Sequence, residues 1–87
     1  MWIPNSVLDD RDLTPTQRAT YIALLYYKEK GIDSPSITQL SKIASIKSRN
    51  TICDSIKYLE EVGYLTRKVV YGSHTTYTLN ERRQHHD

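Results

Sequence analysis

The chain predicts a mainly α fold closed by a small β-hairpin, an α+β domain of three helices and two strands. Three observations predict it. Two capping boxes, Thr14 with Gln17 and Ser36 with Gln39, each stand before apolar residues at helical spacing. Ser48 precedes a third helical run that ends at Gly63. Residues 64–79 are then rich in β-branched and aromatic residues around a Gly-Ser-His turn.

The first thirteen residues, MWIPNSVLDDRDL, follow no long helical period, and Pro4 and Asn5 punctuate them. They read as an extended arm packed on the body, with room for a helical turn near Val7. Asp9, Asp10 and Asp12 lack the glycine and spaced glutamate of a calcium loop, so they read as a solvated turn.

Thr14 starts the first helix, with Pro15 at the first helical position, where a missing N–H is harmless. Ala19, Ile22, Ala23, Leu25 and Tyr26 form its expected buried side. Tyr21 and Tyr27 fall near the rim, as half-buried core or part of a dimer contact. Lys28 and Lys30 suit the negative end of the helix dipole, and Gly31 stops it.

Ser36 caps a second helix whose apolar positions are Ile37, Leu40, Ile43 and Ala44. After a polar turn at residues 45–47, Ser48 caps a third helix over about residues 49–62. Ile52, Ile56 and Leu59 line its buried stripe. At about 100° per residue, Lys47, Asn50, Asp54, Lys57 and Glu61 fall opposite that stripe. Thr51 and Tyr58 flank them on one side and Cys53, expected to be partly buried, on the other. With Arg49, this face offers long and amide-bearing groups that can reach base edges and phosphates from a helix in a major groove. Two short helices this close read as a helix-turn-helix.

The hairpin runs over residues 64–79, with a turn at Gly72, Ser73 and His74. Leu65 and Val69 share one face with Arg67 between them, so Arg67 sits at the hairpin's edge or a bulge shifts the register. The domain spans residues 1–80. Residues 81–87, ERRQHHD, are a polar tail or the start of a linker. His85 and His86 are adjacent and lack further ligands, so no metal site is expected.

Eighty-seven residues hold one small domain with no spare core for an enclosed active site. Residues 1–39 carry four basic and five acidic side chains, whereas residues 40–80 carry six basic and three acidic. Positive charge thus collects on the second half, where a DNA-facing surface would lie. Seven tyrosines and no phenylalanine suit a thin core whose aromatics keep a polar end near water. A single cysteine excludes an intramolecular disulfide and favours a cytoplasmic compartment. No apolar run approaches a membrane span and no signal-like start is present.

The run LSKIASIKSRNTICDSIKYLEEVGYL (residues 40–65), with the hairpin after it, resembles the winged-helix DNA-binding domains of bacteria and phages. Leu40 matches the scaffold helix. Thr51, Ile52, Ile56 and Leu59 match the recognition helix, and Glu60, Glu61, Gly63, Tyr64 and Leu65 match its ending before the wing. Ser45 departs from the pattern, standing where glycine is common. The opening IPNSVLDDRDLTPTQRATYIALLYY (residues 3–27) is similar to replication initiators and replisome organisers from plasmids and phages of Gram-positive bacteria. The resemblance implies a winged helix-turn-helix of three helices plus wing. It implies that Ser48, Arg49, Asn50, Thr51, Asp54 and Lys57 face bases and nearby phosphates. It also implies that Arg67, Lys68 and His74 are wing contacts, and that Lys42 and Lys47 reach phosphates at the groove edge.

The expected function is sequence-specific binding of double-stranded DNA, in replication initiation of a phage or plasmid or as a small transcriptional regulator. Replication proteins would be further partners if a C-terminal region exists. A single domain reads few base pairs, so a homodimer or tandem binding on repeated sites is expected. The competing reading is a winged helix used as a protein-interaction module, with Tyr58, Tyr64 and Tyr71 as an aromatic contact surface. No nucleophile, base and acid constellation and no phosphate-binding glycine loop points to an enzyme, and no cofactor is expected.

Overall fold

A computed structural model of the chain describes residues 1–70 and 74–83. It contains α1 (Asn5–Leu8), α2 (Pro15–Glu29), α3 (Ile37–Ala44), α4 (Arg49–Glu61), β1 (Leu65–Val70) and β2 (His74–Leu79). The architecture is α+β: four helices and one antiparallel two-stranded hairpin. The expected turn at Gly72 and Ser73, the role given to Tyr71, and the His85–His86 pair lie outside the described residues.

Each helix start follows from its cap. Gln17 N–H donates to Thr14 Oγ1 at 3.2 Å, while Gln17 Oε1 accepts from Thr14 N–H at 2.9 Å. Ser36 and Gln39 repeat the exchange at 3.0 and 2.9 Å. Ser48 Oγ accepts from Thr51 N–H at 3.2 Å and starts α4. The expected helical turn near Val7 is α1, which adds a fourth helix and buries Val7 completely.

The three longer helices end alike. Gly31, Ser45 and Gly63 each adopt a left-handed conformation, at φ 79°, 57° and 89°. In each case the next residue's N–H reaches back five residues: Ile32 to Tyr27 O, Ile46 to Ser41 O, and Tyr64 to Leu59 O. This double closure satisfies the last carbonyls and reverses the chain. Ser45 does it without the glycine that the conformation favours. Its turn is braced by the Ser41 hydroxyl, which donates to the Ile46 carbonyl.

α2 packs across α3 and α4, and β2 returns against α2. The core gathers Val7, Leu13, Tyr21, Leu24, Leu40, Ile52, Ile56, Leu59, Tyr64 and Leu65. The buried side of α2 is rotated from the expected one. Thr20, Tyr21, Leu24 and Tyr27 are buried with Ala23 and Leu25, whereas Ala19, Ile22 and Tyr26 are only half-buried. The reason is polar: Thr20 Oγ1 donates to Thr16 O, Tyr21 Oη to Asn80 O, and Tyr27 Oη to Gln39 O. Each hydroxyl has a partner, so these side chains enter the core without an unsatisfied group. Ile43 is exposed on α3, and Cys53 is exposed on α4 rather than partly buried.

β1 and β2 pair in simple register from Leu65↔Leu79 to Val70↔His74. No bulge interrupts these pairs, so Arg67 takes the regular position opposite Tyr77. Leu65 is buried at the root while Val69, on the same face, is 78 % exposed because the hairpin has left the body.

Asp9 and Asp12 are exposed as expected, whereas Asp10 departs from the expectation. Asp10 is not in a solvated turn: its side chain is only 10 % exposed, and Oδ2 lies 2.5 Å from Arg83 Nε and 2.7 Å from Tyr64 Oη. Arg18 donates to the Val7 and Asp10 carbonyls, and the Ser6 hydroxyl donates to the Glu81 carbonyl. Of the segment expected as a tail, Glu81 and Arg83 are thus bonded to Ser6 and Asp10, and residues 84–87 lie outside the described residues. Among the described residues, no helix is long and apolar enough to cross a membrane.

Candidate nucleic-acid interface

α4 positions most of the predicted residues by its own geometry. Ile52, Ser55, Ile56 and Leu59 face the core, so Asn50, Asp54, Lys57 and Glu61 turn outward and are exposed. Lys47, Ser48 and Arg49 are exposed at its start, and Thr51 is half-buried on the flank. The first turn carries no acidic residue, so Lys47 and Arg49 add to the positive end of the helix dipole. Glu60 and Glu61 stand at the opposite end.

Two of these side chains are already engaged. The Ser48 hydroxyl is the helix cap. Arg49 Nη1 donates to Thr38 Oγ1 at 2.8 Å, tying the start of α4 to the first turn of α3. Lys42 lies exposed in the last turn of α3. Lys42, Lys47 and Arg49 are thus supplied by the two helices and their turn.

The hairpin separates residues that the sequence places together. Arg67 and Lys68 are neighbours on β1 and so point to opposite faces. Lys68 shares its face with His74, and both are exposed. Arg67 turns the other way and binds Glu60 Oε1 through Nε at 3.1 Å and Nη2 at 2.8 Å. Its hydrogen bonds lower the Glu60 carboxyl below the usual carboxylate range, and Glu60 in turn raises the Arg67 guanidinium. Arg67, expected as a wing contact, is thus exposed and ion-paired to Glu60 on the face of β1 opposite Lys68.

Thr38 and Glu60 are the residues that the sequence reading missed. Neither partnership has a local signal, because each depends on how one element lies against another. Among the described residues, no group of three or more His, Cys, Asp and Glu side chains could hold a metal ion. A cleft of about 250 Å³ is lined by Trp2, Pro4, Tyr21, Leu25 and Leu79 with Lys28, Glu29 and Glu81.

No family model, curated protein or solved structure matches the chain.

Proposed function

We propose that this chain is a winged helix-turn-helix domain that binds double-stranded DNA with sequence selectivity. α4 is the recognition helix and the β1–β2 hairpin is the wing. The observation that carries the reading is the outward face of α4. Asn50, Asp54 and Lys57 project together from its first turns, above a buried stripe that fixes their direction, with Arg49 beside them at the helix start. A helix of thirteen residues is about 20 Å long and fits a major groove about 12 Å wide. Asn50 suits an adenine edge, and Asp54 accepts from a cytosine amino group while repelling phosphate, which favours reading over coating. Lys42, Lys47, Lys68 and His74 approach the flanking backbone. The biological setting we infer is replication initiation of a phage or plasmid, in the cytoplasm, with two copies on paired or tandem sites.

Selection of bound fragments from a pool of random duplex DNA tests this. Enrichment of one motif, with its spacing, is the expected result. Retention of fragments without enrichment means coating rather than reading. No retention at low salt would leave the fold as a protein-interaction module.

A further inference from the structure

Beyond its root, where Leu65 enters the core, the hairpin is tied to the body at the cross-strand pair Arg67 and Tyr77. In an antiparallel ladder alternate pairs turn their N–H groups away from the partner strand. Here the outward N–H of Tyr77 donates to Asp33 O at 2.9 Å, on the segment that leads into α3. Across the ladder, the Glu60 carboxylate at the end of α4 takes two hydrogen bonds from the Arg67 guanidinium. Glu60 thus holds the side chain of one residue of the pair, and Asp33 the main chain of the other.

We propose that Glu60 is a positioning residue for DNA binding: it sets the hairpin against α4 and withholds Arg67 from phosphate. The proposal rests on the DNA-binding reading given above. The surroundings of Arg67 support it. Its guanidinium lies beside Glu60, in the last turn of α4. The Glu60 carboxylate repels a phosphate there. Asn50 is ten residues earlier, about 15 Å along the helix axis. Lys68, on the opposite face of β1, is left as the hairpin's cation for the backbone.

The test is a salt series of binding titrations on a fluorescent duplex of mixed sequence. It uses the full chain as wild type, Arg67→Gln, Glu60→Ala, Glu61→Ala and the Glu60→Ala/Arg67→Gln double variant. Arg67→Gln is expected to keep the wild-type slope of log affinity against log salt. Glu60→Ala releases the guanidinium and steepens the slope by about 0.9, one phosphate contact. The double variant returns to the wild-type slope. Glu61→Ala removes the same charge without steepening it. A role confined to stability would not move the slope in this pattern. If Arg67→Gln alone flattens the slope by about 0.9, Arg67 already touches phosphate and the proposal is overturned while DNA binding stands. An unchanged slope in Glu60→Ala also overturns it. If the wild type binds no duplex at low salt, the DNA-binding reading fails and takes this proposal with it.

Discussion

Arg83 Nε closes on Asp10 Oδ2 at 2.5 Å, joining residues 73 positions apart in the chain. That hydrogen bond, reinforced by the Tyr64 hydroxyl, outweighs burial and lowers the Asp10 pKa from 3.8 to about 2. A depressed carboxyl contributes stability above its unfolded value and loses it as pH falls through the folded one. The window is therefore pH 4 down to about 2. The contribution is on the order of 1–2 kcal/mol, since Arg83 is one-third exposed and partly screened. Melting of the wild type should drop across that window, and Asp10→Asn should melt lower at pH 7 with a flatter curve below pH 4. Parallel curves for the two proteins would mean that the pair contributes nothing.

Ser45 holds a left-handed turn at φ 57° and is exposed. Glycine removes the steric cost of that conformation, although it adds freedom to the unfolded chain. Ser45→Gly should raise stability by about 0.5–1 kcal/mol and Ser45→Val should lower it. Urea denaturation measures both. Equal midpoints for Gly and Val would show that the turn has rearranged.

Ile56 and Lys57 are adjacent on α4, one 2 % exposed and the other on the outward face. Ile56→Asp places a carboxylate with no partner among Leu and Ile side chains and should cost more than about 4 kcal/mol. Lys57→Ala should stay within about 0.5 kcal/mol. Circular dichroism melting of the pair tests the orientation of the helix, and a near-normal Ile56→Asp would refute it.

Reading and holding should separate on the two elements. Asn50→Ala should cost about 1–3 kcal/mol on a selected duplex and much less on a random one. Lys68→Ala should weaken both alike and flatten the salt slope by about 0.9. Titrations of each variant on each duplex decide it. A Lys68→Ala loss confined to the selected duplex, with Asn50→Ala silent, would mean that the hairpin reads sequence and α4 does not.

What was legible in the sequence was local. Thr14, Ser36 and Ser48 mark helix starts through partners three residues away, and Gly31 and Gly63 mark stops through their own backbone. The buried stripe of α4 was legible because Ile52, Ile56 and Leu59 repeat at its period. The face of α2 was not, because apolarity ranks Ile22 above Thr20 and Tyr21. Their burial depends on acceptors supplied by Thr16 and Asn80 and on the Tyr21 ring meeting Tyr64 edge-on at 5.8 Å. The same limit hid Arg83 in a run that reads as solvent-exposed, and it placed Arg67 with Lys68. For the candidate interface, the outward set on α4 followed from periodicity, whereas Thr38 and Glu60 required the packing of α3 and the hairpin against α4.

The pinning of the hairpin at Arg67 and Tyr77 also fixes how its amide protons should trade with solvent. In an isolated hairpin the protons pointing out of the ladder exchange fast, and only the inward ones are slow. Here the outward proton at position 77 is bonded to Asp33. Deuterium should therefore enter slowly there, and its protection should report the docking of the strands on the body rather than the pairing of the strands with each other. A protein in which this amide became fast while its inward neighbours stayed slow would have an intact hairpin that had swung free.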